Sequence, residues 1–327
     1  MQYEETGKLI RGVGGLYEIA LDAGETPLSG RHVTARAKGN FRHEGITPLV
    51  GDRVRIAFDD SSLARDEQGN PCPSADGGGM VVEEILPRRN ALIRPPMANL
   101  DYLFITLAAA HPAPVLETVD KLISIAEYNA IQPVIVIGKQ DMAPEYAATL
   151  KKLYTDAGFF AFSLSAGEGK GIQELRDFLS THLAGKTAAF AGASGVGKST
   201  LLNALFPGLS LQTGEISRRI ERGRHTTRRV ELYPLAEPRG AYVADTPGFS
   251  MLDFVRFDFF SREDLAGTMR EFEPYIGACR YKKCTHTREE GCAILEAVRA
   301  GEIAPSRHQS FVTMFDALKN KHEWSKK

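Results

Sequence analysis

The sequence predicts a multidomain chain: a small β-barrel over residues 1–90, an α/β domain over 91–255 and a mainly helical region over 256–327. Three observations predict it. Short β-rich runs broken by Gly, Asn, Asp and Pro fill the first region. From Asp101 onward, buried-strand runs alternate with amphipathic stripes, the pattern of a mostly parallel sheet covered by helices. Near the C-terminus, three of the four cysteines crowd around a histidine.

A chain of 327 residues is long enough for two or three domains and a substantial core. Its 40 Lys and Arg nearly cancel 41 Asp and Glu, leaving a net charge of −1. Overall charge therefore does not imply a nucleic-acid partner, and any basic surface has to be local. The N-terminal MQYEETGKLIRG carries acidic residues and no apolar core, unlike a signal peptide. The longest apolar runs, such as Tyr102–Ala110, are too short to span a bilayer. A cytoplasmic protein without a membrane partner is the expectation. Four cysteines in a chain this long do not make a disulfide scaffold.

In the first region, Leu9–Leu21, His32–Ala37, Asp52–Phe58 and Met80–Leu86 read as strands, with a polar Gly/Pro-rich loop at Ser61–Gly79. Several short strands at this spacing predict a small barrel, of OB type. Arg31, Arg36, Lys38, Arg42, Arg53 and Arg55 face only Glu44 and Asp52 between positions 31 and 55. Two readings fit this local excess: a solvated strand face, or a surface for RNA or phosphate.

After the connector Arg88–Pro96, strands are predicted at Tyr102–Leu107, Pro133–Ile137, Phe159–Leu164, Thr187–Ala191, Val230–Tyr233 and Ala241–Ala244. Helices are predicted at Val115–Tyr128, Glu145–Asp156, Ile172–His182 and Lys198–Leu205. After Asp264 the chain turns helical and ends in an amphipathic helix with Phe311, Met314, Phe315 and Leu318 on one side.

Gly192-Ala193-Ser194-Gly195-Val196-Gly197-Lys198-Ser199 fits GxxxxGK[ST] at every fixed position, between the strand TAAFA and the helix STLLNAL that Thr200 continues. Glycines let the backbone N–H groups turn inward around phosphate oxygens at a helix N-terminus. Lys198 is expected to reach the β- and γ-phosphates, and the Ser199 hydroxyl to ligate Mg²⁺. At the end of AYVAD, Asp245 can hold Mg²⁺ through water, and Gly248 of DTPG offers an N–H to the γ-phosphate. Between them lies GRHTTR, where Thr226 or Thr227 can complete the magnesium shell; Thr227 is the preferred reading. Phe249 follows DTPG where related switches place a water-orienting Gln, so slow intrinsic hydrolysis is expected.

A guanine-reading loop usually has the form [NT]-K-x-D after a strand. Gly138-Lys139-Gln140-Asp141 ends PVIVI with glycine in the first place. Asp141 can accept both the N1–H and the 2-amino proton of guanine, a pair that adenine lacks, and the Lys139 stem can lie along the base. Ser165-Ala166 ends the next strand unit and matches the SA element that closes over the base. Cys279-x₄-Cys284-x-His286-x₅-Cys292 supplies three thiolates and one imidazole, a closed tetrahedral set for structural Zn²⁺. Cys72 is remote from it in sequence. Arg280, Lys282, Lys283 and Arg288 form a basic rim suited to nucleic-acid phosphate.

The motifs thus run base, base-closing, phosphate loop, first switch, second switch. With the β domain in front and the Cys/His cluster behind, this resembles the ribosome small subunit-dependent GTPase A family, which is circularly permuted, over nearly the whole chain. The resemblance implies an OB-fold, a central GTPase domain with permuted motif order and a zinc-binding C-terminal domain. It also implies GTP hydrolysis in late maturation of the small (30S) ribosomal subunit, which stimulates the turnover and whose rRNA the protein contacts. A water-positioning histidine of that family maps onto His225. Gly138 departs from the family's usual Asn. Two rivals remain: an ATP-using P-loop enzyme, opposed by Asp141 and the SA element, and an RNA-binding scaffold holding GTP structurally, which Phe249 and Gly138 would suit. A monomer is expected.

Overall fold

The structure is a computed structural model and describes residues 2–39, 41, 45–68, 71–73, 79–93, 95–207, 230–245 and 261–319. Described residues within 1–100, 184–189 and 225–247 form one compact unit, and those within 101–183, 190–224 and 248–327 a second.

In the first unit, β1 (Gln2–Val13), β2 (Leu16–Leu21), β3 (His32–Ala37) and β4 (Arg53–Asp59) are joined by β7 (Val81–Ile85). Between β4 and β7 lie two-residue strands β5 (Ala64–Arg65) and β6 (Pro71–Cys72), a short ladder inside the segment expected as loop. Pairing runs β1–β2, β2–β3, β3–β7, β7–β4 and β4–β1, so five strands close into a barrel, with only β3–β7 parallel. The expected Leu9–Leu21 run is a hairpin instead. Gly14 and Gly15 both have positive φ, +61° and +86°, which suits the tight turn whose twist matches the flanking strands. Within the barrel strand β1 serves both β2 and β4, and Gly7 pairs with Leu21 on one side and Val54 on the other. A Cβ there would sit 2.7 Å from the Ala20 carbonyl oxygen, so glycine permits the crossing. Ile19, Leu28, Val33, Val54, Ile56, Met80 and Val82 fill the interior.

Three of the six basic residues between positions 31 and 55 have acidic partners within the barrel. Arg53 pairs with Asp22, Lys38 with Glu83, and Arg55 lies 3.4 Å from Glu84. Arg42 and Glu44 lie outside the described residues. Asp52 is fully buried and takes two bonds from Arg88, at 2.7 and 2.8 Å. A hairpin of β8 (Ala91–Ile93) and β9 (Pro96–Ala98) ends the segment.

In the second unit, β10 (Tyr102–Ala108), β11 (Gln132–Gly138) and β12 (Phe160–Ser163) are parallel and in sequence order. Helices α1 (Leu116–Tyr128), α2 (Pro144–Asp156) and α3 (Ile172–His182) link and follow them. Every residue of β10 is buried, as expected for a strand covered on both faces. Next comes β13 (Thr187–Ala191), whose first three residues pair in parallel with Tyr242–Ala244 in the first unit. Helix α4 (Lys198–Leu205) follows, whereas β14 (Glu231–Pro234) and β15 (Tyr242–Asp245) form an antiparallel pair of the first unit.

Past Asp264 the chain makes 3-10 turns at Leu265–Thr268 and Arg270–Tyr275 rather than an α-helix, with Pro274 inside the second. Helices α5 (Ala293–Ala300) and α6 (Pro305–Lys319) complete the second unit, with Phe311, Met314, Phe315 and Leu318 buried as the periodicity requires. Among the described residues no helix is long and apolar enough to cross a membrane.

Candidate functional site

Strand β13 is buried throughout and ends at Ala191, just before Gly192, where the backbone turns with φ +145°. Gly195 and Gly197 also have positive φ, +80° and +100°, a conformation that side-chain-bearing residues rarely adopt. These three turns curl the loop ahead of α4 and its unpaired N-terminal amides. Lys198 Nζ lies over the loop and donates to the carbonyls of Gly192 at 2.6 Å and Ala193 at 2.9 Å. Burial pushes its ammonium below the usual lysine range. An anion reaching the loop offers that charge a better partner than two carbonyls.

Gly192 also packs tightly. A Cβ at this position would stand 2.1 Å from the carbonyl oxygen of Thr106 on β10, which is backbone and cannot swing aside. Gly192→Ala is therefore expected to abolish nucleotide binding. Equilibrium titration with a fluorescent GTP analogue checks this, and near wild-type affinity would contradict it.

The loop after β11 meets the phosphate loop. Lys139 takes a left-handed backbone, φ +58°, and its Nζ donates to the Gly195 carbonyl at 2.9 Å and to the carbonyl of His111. Gln140 is anchored by Ser163 Oγ at 2.9 Å, and its amide donates to Leu164 O at 3.1 Å. Asp141 is exposed and unencumbered by any of these bonds. Ser165 is buried, and its amide donates to Lys170 O at 2.9 Å, which closes the Ser165-Ala166 turn. Together these segments line a cleft of about 250 Å³ with Gly138, Lys139, Asp141, Ser165 and Ala166 on one side and Val196, Gly197 and Thr200 on the other. Two motifs more than fifty residues apart therefore share one cavity.

A second cluster lies in the C-terminal region. The Sγ atoms of Cys279, Cys284 and Cys292 and a ring nitrogen of His286 all lie within 4.8 Å of one another, a set able to hold a metal ion. Cys279 Sγ is 3.8 Å from Cys292 Sγ, and His286 Nδ1 is 3.5 and 3.6 Å from these two. Cys72 is not part of the cluster. The connecting loop is stapled by Glu289, whose carboxylate accepts the amides of Thr285 at 2.7 Å and of Thr287 and Arg288 at 3.1 Å each. Burial alone would raise that carboxyl, but these bonds outweigh it and hold it down at about 2.

A family model described as RsgA GTPase matches residues 85–255, and a second, described as RsgA N-terminal domain, matches residues 6–64. The chain belongs to the RsgA GTPase family. A relative named small ribosomal subunit biogenesis GTPase RsgA, from Moorella thermoacetica, is 41% identical over 94% of this chain and 95% of its own. One of the same name from Agathobacter rectalis is 37% identical over 98% and 100%. Among solved structures, YjeQ from Thermotoga maritima superposes with a TM-score of 0.77 at 30% identity, covering 98% of this chain and 100% of that one. YloQ, described as a circularly permuted GTPase, gives 0.74 at 30% identity, over 98% and 96%. The RsgA architecture of five-stranded barrel, permuted GTPase domain and C-terminal helices with a Cys/His cluster is the one described above.

Of the motif residues expected for an RsgA GTPase, the structure gathers the phosphate loop, the 138–141 loop and the Ser165-Ala166 turn. Asp245 ends β15. His225, Thr226, Thr227, Gly248 and Phe249 lie outside the described residues. Further residues of the cleft carry no motif, among them Thr106, Met142 and Leu164. Thr106 is 32 residues before the nearest motif, and the β10–β11 pairing and the close approach to Gly192 bring it there.

Proposed function

We propose that this protein hydrolyses GTP to GDP and phosphate while acting in late maturation of the small ribosomal subunit, which stimulates its turnover. The observation that supports this most is the shared cleft of the GKQD loop and the phosphate loop, joined through Lys139 and Gly195. Asp141 selects guanine by accepting two protons from its Watson–Crick edge. Lys198 and the loop amides hold the β- and γ-phosphates. Ser199 and Thr227 would hold Mg²⁺, with Asp245 acting through water, and the ion would supply charge neutralisation at the phosphates. His225 positions the attacking water in place of the Gln that Phe249 replaces. The supporting domains are 1–90, the OB-type barrel, 91–255, the GTPase, and 256–327, the metal-binding region.

The metal there is Zn²⁺ in a structural role. Zn–S and Zn–N bonds of about 2.3 and 2.0–2.1 Å make tetrahedral edges of about 3.8 Å between sulfurs and about 3.6 Å from sulfur to nitrogen. The separations of 3.8, 3.5 and 3.6 Å fit that donor set. Cys279, Cys284, His286 and Cys292 fill all four positions, so the ion orders loops that bury little apolar surface of their own. Cys284→Ser is expected to cut zinc content from one equivalent to a small fraction and to lower the melting temperature. Metal analysis of the purified protein checks the first effect and calorimetry the second.

Arg280, Lys282, Lys283 and the exposed Tyr281 surround this site and suit rRNA phosphates and bases. The protein works as a cytoplasmic monomer. The deciding experiment is GTP turnover with and without small subunits, with ATP as competitor. Strong stimulation without ATP competition is expected; turnover that small subunits leave unchanged would favour the scaffold reading.

A further inference from the structure

Gly138 closes β11 and opens the base-reading loop, and nothing around it demands a glycine. Its φ lies outside the left-handed region, so its backbone suits any residue. A Cβ placed there would stand 3.4 Å from the carbonyl oxygen of Val196 and 3.6 Å from that of Leu107, ordinary contact distances. This differs from Gly192, where a Cβ is sterically excluded. Val196 belongs to the phosphate loop, so Gly138 faces that loop at a distance that a Cβ would bring into contact. An asparagine amide, two bonds beyond its Cβ, can reach the Val196 carbonyl from here.

Among the described residues the side-chain bond joining the two loops is that of Lys139 to Gly195 O, and the same ammonium also donates to His111 O in the segment after β10. The wall of the same cleft is also under-bonded. Thr106 is 3% exposed, lines the cleft, and its Oγ1 has no hydrogen-bond partner. A cleft whose two lips are pinned by one flexible lysine opens more readily than one pinned twice.

We propose that Gly138 sets the nucleotide residence time of this protein: by omitting an amide between the base loop and the phosphate loop, it lets GDP leave quickly without an exchange partner. The assignment rests on the guanine-binding reading of the cleft. It makes Gly138 a determinant of affinity, while base selectivity stays with Asp141.

The test is stopped-flow release of fluorescent GDP from the full-length protein and from Gly138→Asn and Gly138→Ala. One additional hydrogen bond corresponds to about two- to tenfold slower release from Gly138→Asn. Gly138→Ala adds a Cβ but no donor, so its release of GDP is expected to be faster than that of Gly138→Asn. Equal rates for all three proteins would overturn the assignment, as would equal slowing by Ala and Asn, which would make backbone stiffness the cause. If Gly138→Asn melts below wild type, Gly138→Ser supplies a shorter donor at the same position, and its slowing or lack of slowing decides in the same way. Binding of an adenine nucleotide and no GDP by the unmodified protein would instead overturn the guanine reading, and this assignment with it.

Discussion

Arg307→Leu is expected to destabilise the protein by about 3–5 kcal/mol, the cost of leaving buried charges without their partner. Arg307 on α6 and Asp120 on α1 each have a side chain 1% exposed, with Nη1 and Oδ1 2.5 Å apart. Arg307 also donates to Glu271 through Nε at 2.6 Å and Nη2 at 3.2 Å. The Tyr154 hydroxyl on α2 donates to the same Asp120 oxygen at 3.2 Å. Burial alone would push the guanidinium down, but the two carboxylates outweigh it and hold it above its ordinary range. Leucine fills the volume but leaves two carboxylates facing a low-dielectric interior.

The expected loss has a pH signature. Burial pushes the Asp120 carboxyl up, and only Arg307 and the neighbouring hydrogen bonds oppose it. Without the guanidinium that carboxyl rises further above its unfolded value of about 3.9. Between the two values the folded state holds more protons than the unfolded one, so stability of the variant rises as pH falls through the folded value. Chemical denaturation at pH 8 and pH 5.5 is the measurement: the gap between variant and wild type is expected to shrink at the lower pH. Asp120→Asn in the Arg307→Leu background should recover part of the loss at pH 8. A loss below about 1 kcal/mol would mean that the network is hydrated and adds little.

Lys198→Ala is expected to lower turnover at saturating small subunits by at least about a hundredfold, the usual cost of losing a preorganised charge at a developing anion. The ammonium is half-buried and held over the phosphate loop by Gly192 O and Ala193 O, so it costs little to reorient when phosphate arrives. Burial already places it below the ordinary lysine range, and phosphate binding reverses that shift. Single-turnover hydrolysis at nucleotide concentrations above the variant's Kd separates loss of chemistry from loss of binding. Loss of affinity with an unchanged single-turnover rate would make Lys198 a binding residue only.

Much of the site was legible because its determinants are local. A phosphate loop needs left-handed glycines and a helix start within a few residues, and Gly195 and Gly197 adopt that conformation directly before Lys198. Four metal ligands within fourteen residues need only one tight loop to converge. Most strands and helices also fell where periodicity placed them. The Gly14-Gly15 turn divides the β-rich Leu9–Leu21 stretch into a hairpin, and the helical region after Asp264 opens with two 3-10 turns, Pro274 inside the second, before its α-helices.

What the sequence determined by itself is the order of the motifs, and with it the permuted GTPase and the metal cluster, since each motif carries its own geometry. Tertiary structure alone decided which remote residues complete the cleft and hold the second unit together. Thr106 reaches the cleft through the β10–β11 register, Lys139 meets Gly195 from 56 residues away, and Arg307 meets Asp120 from 187. No local pattern marks such residues, because their partners are chosen by how strands and helices wind past one another. That winding also shows that Gly138, unlike Gly192, is a glycine the fold does not require.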